Sequence, residues 1–119
     1  MSTIFTKIIN REIPASIVYE DDISLAFEDI NPQAPTHLLI IPKKPIATIN
    51  DITEEDREVA GHLLYVASKI AKQKGLAEDG YRVVMNCNEY GGQTVYHIHL
   101  HFLAGKPLGW PPYTDKKKV

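Results

Sequence analysis

The sequence predicts an α+β protein with a mainly antiparallel sheet. Three observations predict this class. Short strand-like segments cluster along the chain with few helices between them, and one long amphipathic helix pattern occupies residues 53–74. Residues 97–103 alternate histidine with apolar side chains, as expected of a strand with two different faces. The 119 residues fit one domain, which we assign to 1–119 with an irregular tail over 105–119.

The N-terminal third is predicted to form a short helix followed by three strands. Apolar residues recur at helical spacing over 3–11, and Pro14 stops that helix soon after. Strands are predicted at 17–19 and 25–27, on either side of the turn 20–22. The continuous apolar run 37–41, ended by Pro42, suits a strand that is buried on both faces.

The long helix and two further strands complete the prediction. Thr53 can cap the helix, Asp56 stands at the capping-box position, and Gly75 is a natural end. Strands at 81–87 and 94–103 are joined by a hairpin loop over 88–92. The result is a five-stranded sheet with one long and one short helix.

Composition and charge exclude several classes of protein. The formal net charge of -2 does not suggest nucleic-acid binding, and the basic run at 116–118 is a solvated end. No stretch approaches 18 apolar residues, so we expect no membrane span, and the N-terminus does not read as a signal peptide. Cys87 is the single cysteine, which fits a reducing compartment, and we expect a cytoplasmic location.

The segment 97–103 is the most informative part of the chain. On a strand, His97, His99 and His101 would share one face, while apolar residues at 98, 100 and 102 would face the core. Two chemistries fit such a face. A metal site is the weaker one, because the outer histidines would lie about 13 Å apart at roughly 3.3 Å per residue. We therefore expect neither a metal nor another cofactor.

Nucleophilic catalysis is the other chemistry. With a reference pKa near ~6.5, roughly three quarters of an unperturbed imidazole is neutral and nucleophilic at pH 7. A neighbouring imidazolium could then act as the acid for a departing amine. We interpret His99 as the nucleophile, with His97 and His101 beside it.

Residues elsewhere could complete a phosphate and nucleoside site. The loop 91–94 contains two glycines, Gln93 and Thr94, and could hold a phosphate through its N–H groups. Phe27 could stack on a base and Asp29 could accept from ribose hydroxyls, although a core residue and a turn residue are the simpler readings. Asn86 and His37 could likewise be only structural.

The histidine segment resembles the signature of the histidine-triad (HIT) family, His-φ-His-φ-His-φ-φ with φ apolar. Further collinear segments make the chain similar to the Hint branch, the histidine-triad nucleotide-binding proteins. These segments are 4–9, 12–14, 20–22, 29–30, 32–37, 41–42, 91–93 and 110–112.

This resemblance implies a fold, an activity and partners. It implies a HIT-like sheet and a homodimer in which two sheets join into one. It also implies hydrolysis of purine nucleoside phosphoramidates such as AMP-amines, with AMP or GMP as the nucleotide moiety and acyl-adenylates also cleaved. A covalent nucleotidyl-histidine intermediate is expected, no metal is required, and additional protein partners are possible.

The resemblance also assigns residues to roles. The nucleophile falls on His99, the outer triad members on His97 and His101, and a fourth, supporting histidine on His37. Phosphate contacts fall on Asn86, Gly92, Gln93, Thr94 and His101. Ribose recognition falls on Asp29 with Ile30 beside it, and the base pocket falls on Ile4, Phe5, Ile8, Phe27 and Leu39.

Two departures and three rival functions remain. Thr94 stands where serine is common, and Glu28 stands where some relatives have histidine, which leaves adenine versus guanine open. A dinucleoside polyphosphate hydrolase would share the triad. A non-catalytic nucleotide-binding module and a metal-binding protein are alternatives from other classes.

Overall fold

The structure is a computed structural model that describes residues 2–112. Its strands are β1 (Ile17–Glu20), β2 (Ser24–Glu28), β3 (Thr36–Pro42), β4 (Tyr81–Val84) and β5 (Leu100–Ala104), and its α-helices are α1 (Ile4–Ile9), α2 (Arg57–Gln73) and α3 (Asn88–Gly91). The strands form one antiparallel sheet in the order β1-β2-β3-β5-β4. The predicted α+β class with five antiparallel strands is confirmed.

Strand β3 lies at the centre of the sheet and is covered on both faces. Leu38 and Ile40 pack with α2 in one cluster, which we call the helix-side core. Leu39 and Ile41 point the other way into a second cluster, the pocket-side core, which also contains Phe5, Ile8, Leu25 and Phe27. Burial of both faces explains why this strand reads as an unbroken apolar run rather than an alternating one.

Helix α2 follows the sequence prediction closely. A short 3-10 turn, Glu54–Asp56, precedes it, and Thr53 and Asp56 form the predicted capping box. The Thr53 N–H donates to Asp56 Oδ2 at 3.0 Å, which satisfies one of the free donors at the start of the turn. The helix ends at Gln73, and Gly75 follows with φ +71°, a conformation that glycine adopts without strain.

The predicted strand 94–103 is wrong in its first half, because β5 begins only at Leu100. Extension of the β3–β5 pairing beyond Ile40 and Leu100 would bring the strand alongside Pro42, which has no N–H to give a ladder. The Ile98 N–H donates instead to the carbonyl of Ile46 at 2.8 Å. His97 and His99 therefore precede the strand, and the predicted strand 81–87 similarly ends early, at Val84.

Two connecting segments also differ from or extend the prediction. The predicted hairpin loop over 88–92 contains α3, so the described residues contain a second short helix besides α1. Strand β5 ends before Gly105, where φ is +104° and a Cβ would lie 2.7 Å from Pro35 Cβ. Residues 105–112 form no helix or strand. The rest of the predicted tail, 113–119 with its basic run, lies outside the described residues.

Across residues 2–112, every helix is too short or too polar to cross a bilayer.

The packing of α2 gives a prediction about stability. Leu63 is 0% exposed in the helix-side core, whereas its neighbour Leu64 is 55% exposed. Leu63→Ala is expected to lower the free energy of unfolding by about 2–5 kcal/mol, because it leaves a cavity beneath the sheet. Leu64→Ala is the matched control and should change that free energy by less than ~0.5 kcal/mol. Urea unfolding measures both, and equal changes would contradict this packing.

Candidate active site

A cavity of about 290 Å³ opens on the face of the sheet opposite α2. It is close to the lower end of the range for small-molecule sites, and its lining is mainly apolar with a few polar groups. Ten residues assigned from the sequence line it: Ile4, Phe5, Ile8, Phe27, Asp29, Ile30, Leu39, Thr94, His99 and His101. Residues dispersed over 4–101 of the sequence thus meet at one cavity.

Five lining residues were not assigned from the sequence: Ile13, Pro14, Ala15, Glu28 and Val95. The segment 13–15 leads from α1 to β1 and closes the apolar end of the cavity. The sequence does indicate an apolar turn at this place, because Pro14 follows the apolar Ile13 directly after the predicted helix. The sequence did not indicate Val95 as a lining residue, because it lies next to Thr94 on the predicted regular strand 94–103.

Asp29 supplies the carboxylate of the cavity. It follows β2 directly, and its Oδ1 accepts a hydrogen bond from the Asn31 N–H at 2.8 Å. This bond holds the Asp29 side chain against the turn and leaves its other carboxylate oxygen, Oδ2, without a hydrogen bond to any described residue. Oδ2 lies 3.5 Å from His37 Nε2, and so the carboxylate stands beside the imidazole cluster.

His99 presents one defined nitrogen to the cavity. Its Nδ1 lies 2.8 Å from the backbone carbonyl of His97, and a carbonyl can only accept, so Nδ1 carries the proton. In the neutral ring, Nε2 then holds the lone pair. His99 Nε2 has no protein partner within residues 2–112. It is nevertheless not a fully buried atom, because among the described residues only His97 Nδ1 is both buried and without a partner. Since His99 lines the cavity, its Nε2 is open to it.

A chain of hydrogen bonds fixes the protonation of His101. The Gln33 N–H donates to His37 Nδ1 at 3.0 Å, which leaves the proton of His37 on Nε2. That Nε2–H donates to His101 Nδ1 at 2.9 Å. The proton of His101 therefore lies on Nε2, the nitrogen not engaged by His37, and the ring lines the cavity as a donor. The prediction that His37 supports the triad from behind agrees with this contact.

Burial keeps the four histidines neutral. It lowers the pKa of His37, His97 and His99 below the ordinary histidine value, against the opposing effect of Asp29 on His37 and His99. Burial, together with the nearby His99 and His37, lowers the pKa of His101 to about 4. The expectation of an imidazolium acid beside His99 therefore does not fit the free protein, in which His101 is a neutral donor at pH 7.

Asp29, His37 and His101 bring three potential metal-ligating atoms within 4.8 Å of one another. The hydrogen bonds of His37 do not fit a metal at this place. A neutral imidazole that binds a metal through Nε2 carries its proton on Nδ1 and donates it to an acceptor. Here Nδ1 faces the N–H of Gln33 and must accept, so Nε2 has no lone pair to offer.

His97 does not line the cavity. Its ring is 1% exposed, and Nε2–H donates to the carbonyl of Pro42 at 2.8 Å. This bond ties the histidine segment to the end of β3, while the His97 carbonyl holds the ring of His99. The structure thus gives His97 a supporting position rather than direct access to a ligand.

The loop that precedes the histidines is held by Gln93. The buried side-chain amide accepts from the Asn88 N–H at 2.8 Å and donates to the carbonyls of Ala47 at 2.7 Å and Val95 at 3.1 Å. The Gln93 N–H is also engaged, with the Asn88 carbonyl. Its predicted phosphate contact is therefore not available in this arrangement. Asn86 and Gly92 do not line the cavity either, which leaves Thr94 as the polar side chain that this loop supplies.

These features provide a histidine nitrogen that is chemically able to act as a nucleophile. An apolar cavity leads to a carboxylate, an unprotonated imidazole nitrogen and a second imidazole that donates. Such a cavity can accept a flat apolar ring at one end and an electrophilic centre beside His99 at the other.

Comparison with known proteins identifies the family. A family model described as the HIT domain matches residues 10–108, and the chain belongs to the HIT family. It is 61% identical over 107 residues to a purine nucleoside phosphoramidase of Escherichia coli K12, covering 90% of both chains. It is 58% identical over 112 residues to a 14 kDa zinc-binding protein of Zea mays, covering 92% of this chain and 87% of that one.

Solved structures agree with this assignment. The crystal structure of a HIT family hydrolase from Legionella pneumophila has a TM-score of 0.92 and 57% sequence identity, and covers 94% of this chain and 100% of its own. A histidine triad protein from Clostridium difficile has a TM-score of 0.89 and 50% identity, covering 92% and 95%. The predicted HIT-like fold is confirmed.

The hydrogen-bond chain predicts which nitrogen of each ring is protonated. Nitrogen-15 NMR of the imidazole groups at pH 7 should show His99 with its proton on Nδ1. His37, His97 and His101 should each carry it on Nε2, because of their respective partners. On acidification the resonances of His101 should not move until well below pH 6.5, since its pKa is lowered to about 4. Protonation of His101 on Nδ1 would contradict the assigned chain.

Proposed function

We propose that this protein hydrolyses purine nucleoside phosphoramidates such as AMP-amines, and acyl-adenylates as a second substrate class, through a nucleotidyl intermediate on His99. The observation that carries the proposal is the unprotonated Nε2 of His99, open to a cavity with Asp29 on one side. The name of the 61% identical relative from Escherichia coli supports the same substrate class.

The cavity suggests how a nucleotide would be held. The base would lie at the apolar end, between Phe5, Ile8, Phe27 and Leu39. The carboxylate of Asp29 would accept from the ribose hydroxyls, with Ile30 at the rim. The phosphate would then stand beside His99, within reach of Thr94 and the Nε2–H of His101, with Asn86 and Gly92 as further proposed contacts. Gln93 would contribute indirectly, by holding the loop in shape.

The reaction follows from these positions in two steps. His99 Nε2 attacks the phosphorus, the phosphorus–nitrogen bond breaks, and the amine departs with a proton taken from His101 or a bound water. Water then attacks the nucleotidyl-His99, releases the nucleoside monophosphate and restores the ring. In both steps the protein aligns the groups and stabilises charge, which is the larger part of phosphoryl-transfer catalysis. The bound phosphate, being anionic, would raise the pKa of His101. A larger fraction of the ring would then be protonated at pH 7 and able to give a proton.

The charge of the cavity bears on the rival hydrolase. Glu28 and Asp29 are its charged lining residues, and within 2–112 no lysine or arginine lines it. A dinucleoside polyphosphate carries several negative charges, which such a lining does not neutralise. A single phosphate linked to an amine fits it better, so the phosphoramidase reading is preferred.

We also propose a homodimer that joins two sheets along β4. The sheet has two edge strands, β1 and β4. The pairing of β1 is irregular between Ile17 and Tyr19, and the charged Arg11 and Lys43 flank its end at Glu20, which are common ways to protect an edge. Strand β4 pairs regularly with β5, and its one charged side chain, Arg82, donates to the carbonyl of Gly109.

A cytoplasmic location is proposed on the basis of the single free cysteine, which fits a reducing compartment. Further protein partners remain a proposal from the family resemblance.

Loss of His99 tests the mechanism. His99→Ala should release AMP from an AMP–amine at less than about one thousandth of the wild-type rate, because the nucleophile is missing. AMP should still bind, since the apolar end and Asp29 are intact. His62→Ala is the control, because His62 pairs with Asp21 away from the cavity, and its rate should stay within about twofold. Full turnover by His99→Ala, or loss of wild-type turnover with chelator, would refute the mechanism.

Sedimentation velocity tests the dimer. At micromolar concentration the protein should sediment as a species of twice the 13.4 kDa chain mass. An edge-to-edge contact of two β4 strands satisfies N–H and C=O groups that otherwise face water. A 13.4 kDa species at that concentration would contradict the dimer.

A further inference from the structure

Phe5 contacts both ends of the cavity. Its ring lies edge-on to Phe27 at the base end, with centroids 5.5 Å apart and an interplanar angle of 73°. The same ring lies edge-on to His99, with centroids 5.0 Å apart and an angle of 87°. It also contacts His97 at 6.0 Å. One side chain on α1 thus packs against the base wall, the nucleophile and the residue that holds the nucleophile.

Besides Phe5, the ring of His101 packs edge-on against His99 from the cavity side, with centroids 5.0 Å apart and an angle of 62°. The one hydrogen bond of the His99 ring to the protein is made through Nδ1, and this bond fixes the tautomer but leaves the ring free to tilt about the bond. Nε2 has no protein partner. Packing of a neighbouring side chain is then what selects the rotamer of the ring. Phe5, which is 5% exposed, lies perpendicular to the His99 ring, and this edge-on arrangement is one that aromatic pairs prefer.

The region behind His99 is also shielded from solvent. His99 is 4% exposed, and the adjacent His97 Nδ1 is buried without a protein partner. Phe5 covers both rings from the side of α1. Water at this place would favour the charged form of His99.

We propose that Phe5 is a positioning residue for the reaction, whose ring holds His99 in the orientation for attack and excludes water from behind it. This inference rests on the proposed function, in which His99 is the nucleophile. It assigns to α1 a part in the chemical step, whereas the resemblance assigns Phe5 to base recognition only. Because Phe5 acts through His99, its loss should affect kcat as well as KM.

Three variants on α1 separate this role from simple binding or helix stability. Phe5→Leu removes the ring but keeps an apolar side chain. Ile8→Ala removes a wall residue of the cavity that makes no ring contact with His99. Ile9→Ala loosens the packing of α1 on the pocket-side core and lies outside the cavity lining.

The expected pattern is specific. Phe5→Leu should lower kcat for an AMP–amine by about 10- to 100-fold, the size of effect that misplacement of a reacting group produces. Ile8→Ala should mainly raise KM, and Ile9→Ala should keep kcat within about twofold of wild type. The acid limb of kcat/KM should move to higher pH in Phe5→Leu alone, because hydration lets the pKa of His99 rise toward its ordinary value.

A second readout does not depend on turnover. Nitrogen-15 NMR should show that the His99 imidazole titrates at higher pH in Phe5→Leu than in wild type, and at the wild-type pH in Ile9→Ala. Phe5→Met serves if Phe5→Leu does not fold by circular dichroism. A rise in KM alone with an unchanged His99 titration would overturn the role of Phe5, as would an equal loss of kcat in Ile9→Ala. Absence of wild-type turnover would instead refute the proposed function, and the titration would still decide about Phe5.

Discussion

The hydrogen bond from His99 Nδ1 to the carbonyl of His97, 2.8 Å long, decides which nitrogen of His99 holds a lone pair. That carbonyl is in turn held by the ring of His97, which donates to Pro42 at the end of β3. The central strand of the sheet thus controls the protonation state of a side chain that lies outside any strand. A parallel arrangement controls His101, through His37 on β3 and the N–H of Gln33.

Both chains of hydrogen bonds end at backbone groups, and this has a physical reason. A backbone carbonyl only accepts and a backbone N–H only donates, so neither can exchange roles as a side chain or water can. Burial then lowers the pKa of each ring and keeps it neutral. Fixed backbone partners and low hydration together produce one imidazole that can attack and one that can donate. Asp29 acts in the opposite direction, because its charge raises the pKa of both rings.

Much of this could be predicted from the sequence, since alternation and spacing reflect burial directly. The apolar residues Ile98, Leu100 and Phe102 lie in the helix-side core as their alternation predicts, even though β5 starts at Leu100. The start of β5 could not be predicted, because it depends on which residue of the histidine segment would pair with Pro42 at the end of β3. The local alternation shows which face of a segment is buried, but it does not show which residues of two distant segments pair with each other.

The structure brings some of the predicted site residues to the cavity and not others. Side chains with one obvious chemical use, such as Asp29 and His99, lie at the cavity. Gln93 does not contact the cavity, because its side-chain amide is hydrogen-bonded to three backbone groups. Those groups come together only in the folded structure, so the sequence does not show these bonds. Likewise, nothing in the spacing of Phe5 indicates that its ring packs on a histidine some ninety positions later in the chain.

The wall of the cavity is also one of the two cores of the protein. Phe5, Ile8, Phe27 and Leu39 belong to the pocket-side core and line the cavity at the same time. A bound purine would therefore complete a hydrophobic cluster that is open on one side. Any ligand that binds only the folded chain shifts the folding equilibrium by mass action. The nucleotide that occupies the site would on this basis also raise the free energy of unfolding of the chain, so that site occupancy and fold stability are linked.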